Sequence, residues 1–216
     1  MEAGHEMDPI VVVGGGGHAK VVVSILRKLN SYRILGYTDP KDHGAVVGAS
    51  YLGFDSELAT LAGGPKKLSV ALALGQTGLG QQRFELWTRL HSLALSFPFI
   101  VSPHAVVDEG VSGGEGAVVM DGAVINTGTI IGRGAIINTN STVEHDVVLE
   151  DWVHIAPGAT ISGGVTIGRL SMIGAGATVI EGIKITAGCM VGAGATVLHD
   201  LTEAGVYVGT PARRIK

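Results

Sequence analysis

Residues 142–173 read TVEHDVVLEDWVHIAPGATISGGVTIGRLSMI, and apolar residues recur in them every six positions: Val143, Leu149, Ile155, Ile161, Ile167 and Ile173. The same count runs outward in both directions. From Val101 to Val197 every sixth residue is Val, Ile or Leu, with Gly113 as the one departure. Four residues beyond each of these sits a small or apolar residue, among them Ala105, Ala123, Ala135, Ser141, Ala159, Ser171, Cys189 and Ala195. A heptad does not hold this frame, and neither does a helix with about 3.6 residues per turn. A fixed six-residue period marks a parallel β-helix. Three hexapeptides close one triangular coil in β-helices of this period, so residues 18 apart stack and residues nine apart lie half a coil away. The 17 hexapeptides give five to six coils, enough for a stable solenoid.

Composition agrees with that fold. The chain has 216 residues, 34 of them Gly, with 46% hydrophobic and only 5% aromatic residues. A narrow β-helix needs small residues at its corners and has little room for rings inside. The net charge of −4 offers no basic surface for nucleic acid. The single Cys189 excludes an intrachain disulfide or a multi-cysteine metal site and falls on an inward repeat position. No apolar run approaches the ~18 residues of a membrane span. Residues 1–7 (MEAGHEM) are polar, so no signal peptide is expected and a cytoplasmic protein is.

The first part of the chain has another rhythm. Ile10–Val13 reads as a buried strand, Val21–Leu29 as a helix and Arg33–Tyr37 as a strand. Ser56–Ala62 follows as a short helix capped by Asp55, then Leu68–Leu74 as a strand and Gln81–Ser92 as a helix. Strands alternating with helices imply a parallel α/β sheet. The expected domains are therefore 8–97, a Rossmann-like α/β domain, and 98–216, the β-helix. Gly14-x-Gly16-x-x-Ala19 between a strand and a helix, with Asp39 near the end of the next strand, fits the dinucleotide fingerprint and alone would suggest NAD. This half is too short for two mononucleotide-binding units. A glycine loop at a helix N-terminus cradles phosphates generally, and a nucleoside diphosphate sugar serves equally well.

Among eight histidines, only His145 lies mid-repeat with acidic neighbours on both sides, in Glu144-His145-Asp146. The register turns it outward. A neutral imidazole suits general-base work near pH 7, and a neighbouring carboxylate orients it. Asp146 is preferred to Glu144 as that partner. Gly163, 18 residues on, stacks on the same edge and offers an accessible backbone N–H for an oxyanion. His154, nine residues from His145, lies across the prism. The two meet only between neighbouring prisms, which favours a cyclic trimer.

The hexapeptides with the tail Val208-Gly209-Thr210-Pro211-Ala212-Arg213-Arg214 resemble the left-handed β-helix acyltransferases. With the leading GGGGHAK loop (14–20) and the central EHD, the chain resembles more narrowly the PglD/NeuD-type bacterial sugar acetyltransferases. That resemblance implies a Rossmann-like α/β domain followed by a left-handed β-helix, a homotrimer and acetyl-CoA as cosubstrate without a metal. It also implies a nucleotide-linked amino sugar as acceptor, in surface glycan or O-antigen synthesis. It carries catalysis to His145 and Asp146, and acetyl-CoA contacts to His154, Gly163, Ala175 and Ala193. Nucleotide-sugar contacts fall on Gly16, Gly17, His18, Thr38, Asp39 and Gly75. Uridine-binding relatives often carry two acidic residues where this chain has Thr38-Asp39, which leaves room for a GDP-sugar such as GDP-perosamine. Sialic acid O-acetylation is the alternative within the class. Outside it stand a β-helix carbonic anhydrase, for which the close histidine pair is missing, and an NAD-binding or non-catalytic β-helix.

Overall fold

The computed structural model describes residues 7–64 and 66–216; most of the N-terminal stretch 1–7 lies outside them. The chain divides into two compact units, one holding the residues up to Gly75 together with Leu86–Pro98, the other Gln76–Glu85 together with Phe99–Lys216.

The first unit is built on β1 (Asp8–Val13), α1 (Gly17–Leu29), β2 (Tyr32–Thr38), α2 (Glu57–Leu61) and β3 (Ser69–Leu72). The strands form a parallel sheet in the order β2-β1-β3. The apolar runs are continuous because both faces of such a sheet are covered. Ile10, Val11, Val12, Val70 and Leu72 are all buried. Helix α1 begins four residues earlier than its apolar pattern predicts, at Gly17, because glycine and histidine carry no periodic signal. Helix α3 (Gln81–His91) follows, and within this unit its later residue Trp87 stacks on His91 with ring centroids 4.3 Å apart. Asp55 does not cap α2: Ser56 occupies the cap without a side-chain bond. The Asp55 carboxylate instead accepts a hydrogen bond from the Thr38 hydroxyl at 2.8 Å.

The second unit is a left-handed parallel β-helix of about six turns, with two-residue strands falling on three faces. On each face the register step is 18 residues: Ile136 pairs with His154 and His154 with Met172 on one, Thr142 with Thr160 and Thr160 with Thr178 on the second, Val148 with Thr166 on the third. The residues counted in sixes point inward, and Ile125, Ile137, Ile155, Ile167 and Ile173 are fully buried. Each such side chain contributes roughly 1.5–3 kcal/mol by leaving water. The polar residues on inward positions are satisfied locally. Thr129 donates to the Glu144 carbonyl at 2.9 Å, Ser141 to the Asn138 carbonyl at 2.7 Å and Ser171 to the Thr186 carbonyl at 3.2 Å. Cys189 is buried in the same core.

Gly113, the one break in the count, has a packing reason. A Cβ there would lie 2.2 Å from the ring of Phe99, and Phe99 packs on the core of the first coil. One ring thus fills the end of the prism in place of an inward aliphatic. At the other end Tyr207 and Ala212, from the tail, close the core.

The corners repeat as well. Every sixth residue from Gly110 to Gly194 has positive φ, and all are Gly except Asn140, Asp146, Trp152 and Leu170. Asn and Asp tolerate this left-handed region, whereas Trp and Leu are outliers there. Both outliers lie against the segment Gln76–Glu85. The Gly80 N–H donates to the Leu170 carbonyl at 3.1 Å, and a Cβ on Gly80 would sit 2.7 Å from the Trp152 carbonyl oxygen. Trp152 is buried, edge-on to Phe84 with centroids 6.0 Å apart. The strained corners are held by the segment packed on them.

Candidate active site

The β-helix carries two separate clusters. The first lies on the edge after the strand Thr142–Val143. His145 Nδ1 is 2.9 Å from Asp146 Oδ2, and the two side chains are 56% and 73% exposed. Asp146 reaches back to the ring because its own φ is +58°, a left-handed turn that swings its carboxylate beside the residue before it. Glu144 is committed elsewhere, accepting from the Asn126 side-chain amide. The His145 pKa is raised, first through the Asp146 hydrogen bond, against an opposing desolvation, and then through the charges of Asp146, Glu144 and Glu181. The far edge of the ring lies over Gly163. A Cβ there would stand 2.7 Å from both Cε1 and Nε2, so the imidazole can hold this place only above a glycine.

The second cluster is a groove of about 460 Å³ lined by Gln76, Thr77, Asn138, His154, Ala175 and Ala193, among others. It follows the face bearing His154, Met172 and Met190 and the corner after it. His154 is 5% exposed. Its pKa falls to about 4, chiefly from burial and then from the positive charge of Arg83, against a hydrogen bond with the Gln76 backbone. Its Nε2 lies 3.2 Å from Asn138 Nδ2. The walls are mostly apolar and small, which suits an extended, narrow chain such as a pantetheine arm. His154, Ala175 and Ala193 thus share one groove, while His145 and Gly163 share another edge of the same prism.

The glycine loop lies in the first unit. Gly14 has φ +113°, and a Cβ on it would meet the Ala73 carbonyl at 2.8 Å; only glycine lets β1 leave the sheet beside β3 here. Gly16 caps α1 with extended backbone, and both Gly16 and Gly17 face open space. Their N–H groups head a 13-residue helix, an anion-binding arrangement. Gly75, past the end of β3, touches His18, its hypothetical Cβ lying 3.4 Å from that of His18. The two loops flank the crevice at the carboxyl ends of β1 and β3, the switch point of such a sheet. Asp39 reaches the same loop, accepting from the Gly15 N–H at 2.7 Å and the Lys41 N–H at 2.9 Å. Burial opposes its ionisation, but the Lys41, Gly15 and His43 hydrogen bonds together pull its pKa down. Thr38 is fully buried, with its hydroxyl on Asp55.

Comparison with known proteins adds to this geometry. The family model of the PglD N-terminal domain matches residues 9–85, and that of the bacterial transferase hexapeptide (six repeats) matches residues 128–163. The acetyltransferase domain of PglB from Neisseria gonorrhoeae FA1090, solved with acetyl coenzyme A, is 32% identical over 97% of this chain and 100% of that one, with a TM-score of 0.89. The chain belongs to the PglD-type hexapeptide acetyltransferases. PerB from Caulobacter crescentus, solved with CoA and GDP-perosamine, resembles this acetyltransferase at 35% identity over 98% of this chain and 99% of that one, again with a TM-score of 0.89. A histidine-to-asparagine variant of the Caulobacter perosamine N-acetyltransferase, in complex with the same two ligands, gives 34% identity, 98% coverage of both chains and a TM-score of 0.91. A search of curated protein sequences returns no match.

Sequence reasoning overlooked Gln76, Thr77 and Asn138 as groove residues. Asn138 stands one residue after the inward Ile137, just past the strand that pairs with that of His154, and 18 residues before Ala156, another groove residue, so the repeat could have found it. Gln76 and Thr77 lie outside the repeat and carried no signal of this kind. No helix among the described residues is long and apolar enough to cross a membrane.

Proposed function

We propose that this acetyltransferase moves the acetyl group of acetyl-CoA onto the amino group, at C4, of a nucleotide-linked amino sugar, GDP- or UDP-linked. The observation that carries this reading is the His145–Asp146 pair at 2.9 Å, with the outer edge of the imidazole free above Gly163. The acceptor class is supported by the exposed glycine loop at the α1 N-terminus and by the nucleotide amino sugar bound to PerB.

The sugar amine attacks the thioester carbonyl and a C–N bond forms. His145 Nε2 takes the proton from the nitrogen, and Asp146 holds Nδ1–H and stabilises the imidazolium. The Gly163 N–H donates to the oxyanion. The tetrahedral intermediate then expels sulfur, the C–S bond breaks, and the CoA thiolate takes the proton back from His145. His154, Ala175 and Ala193 line the wall for the pantetheine arm. His145 and this groove lie on different edges of one prism, so a productive site joins the His145 edge of one copy to the groove of another. We therefore read the enzyme as a homotrimer with active sites between copies. Its two substrates place it in the cytoplasm, in O-antigen or related bacterial surface glycan synthesis.

A thiol-release assay with acetyl-CoA against UDP-, GDP- and dTDP-linked 4-amino sugars tests the assignment. We expect turnover with a GDP- or UDP-linked amine and none with the corresponding 4-hydroxy sugar. Turnover with free sialic acid and none of these amines would overturn it.

A further inference from the structure

The segment Gln76–Glu85 does more than line the groove. Arg83 is 1% exposed, and its Nη2 donates to the Gly134 carbonyl at 3.1 Å. Gly134 precedes Ile136 by two residues, and Ile136 pairs in register with His154. A buried cation is thus anchored on the coil next to the groove histidine. Desolvation alone brings its pKa down only to about 10, so it stays charged at any working pH.

The hydrogen bonds around His154 fix its tautomer. The Thr139 N–H donates to Asn138 Oδ1 at 2.8 Å, which settles which end of the amide is oxygen. The Asn138 NH₂ must then face His154 Nε2, 3.2 Å away. An amide nitrogen only donates, so Nε2 is the acceptor and the ring proton sits on the buried Nδ1. An imidazolium would set an N–H against an N–H.

We propose that Arg83 is a positioning residue that keeps His154 neutral, so that no second cation enters the acetyl-donor groove. The proposal rests on the reading of that groove as the acetyl-CoA site. It has a functional consequence: an imidazolium at 154 facing the His145 of another copy would oppose protonation of that base. Among the described residues Arg83 is the charged group acting on His154, and Gln76 and Asn138, its hydrogen-bonding neighbours, are uncharged.

The test is a histidine ¹H–¹³C and ring ¹⁵N titration between pH 4 and 8, with His154→Asn to assign the signal, run on wild type, Arg83→Met and Arg83→Lys. The wild-type ring should stay neutral and Nδ1-protonated above pH 5. Arg83→Met should move its titration up toward the ordinary value of 6.5, and Arg83→Lys should leave it low. A methionine of similar volume in place of a buried cation often leaves stability intact. Should Arg83→Met not fold, the wild-type spectrum still decides, since a ring charged at pH 6 overturns the proposal. So does an unmoved titration in folded Arg83→Met. Calorimetry with acetyl-CoA on the same samples separates the two readings. Absent binding beside the expected titrations would remove the acetyl-donor groove and leave the Arg83–His154 relation standing.

Discussion

The edge that carries His145 and the groove that carries His154 are nine residues apart in sequence and opposite in electrostatic design. His145 is exposed among Asp146, Glu144 and Glu181, and its pKa is raised. His154 is buried beside Arg83, and its pKa falls to about 4. One repeat, at a corner and on a face, holds an exposed imidazole biased toward its charged form and a buried one biased toward its neutral form. The period decides only where a side chain sits along the prism; the charge around it decides what the imidazole does. If this contrast is right, His145→Ala should have the largest effect of any groove or edge substitution. We expect kcat/KM to fall about 10²–10⁴-fold with acetyl-CoA affinity by calorimetry nearly unchanged. A loss of less than about tenfold would remove the base assignment.

Gly163→Ala probes the same edge without touching a titrating group. The added methyl would press on the ring at Cε1 and Nε2, and it lies at the proposed oxyanion donor. Misplacement of a catalytic group by about 1 Å can cost roughly 10²-fold, so kcat should fall by that order while the melting temperature stays near wild type. Equal loss after Gly164→Ala would show that the corner backbone, not contact with His145, is what matters. Asp146→Asn comes next. Asparagine tolerates the φ of +58° and keeps the shape, but it removes the charge and its hydrogen bond. We expect about a tenfold loss in kcat. The sign of the pH effect is fixed. Asp146 raises the His145 pKa, and the base is lost as pH falls through that value. Asp146→Asn should therefore carry the acid limb of kcat/KM to lower pH. A limb that stays put would detach Asp146 from the titration.

The β-helix was readable down to single residues because its period is rigid: the 18-step put Gly163 beside His145 and Ala175 with Ala193 in one groove. Even its exception, Gly113, marks a place where Phe99 fills the core. The α/β unit was readable only as an element order. Its strands came out a residue or two off at the ends, and α1 was cut short by its glycine start. Thr38 and Asp39, base contacts by the resemblance, also have protein partners: the Thr38 hydroxyl donates to Asp55 and the Asp39 carboxylate meets Gly15, Lys41 and His43, bonds that sequence spacing does not reveal. Asp55 looked like a helix cap for the same reason, because a local rule competes with a long-range bond invisible in one sequence. The roles of Gln76, Thr77 and Arg83 were hidden too, since a segment outside the repeat folds onto it.

The smallest expected effect belongs to the groove. Ala193 lines it next to Gly192 and one coil beyond Ala175, and its side chain needs to be small only if a ligand passes close by. Ala193→Leu adds bulk at a corner where the chain itself leaves room, so stability should change by less than about 1 kcal/mol. A pantetheine arm meets the added bulk in the ground state and the transition state alike. Loss of such uniform binding raises KM and leaves kcat alone. We expect KM for acetyl-CoA to rise several-fold, with kcat and KM for the sugar nucleotide within twofold of wild type. A fall in kcat with KM unchanged would place Ala193 near the reacting atoms and so contradict the division between a chemical edge and a binding groove. No change in either constant would mean that the donor runs elsewhere on the prism.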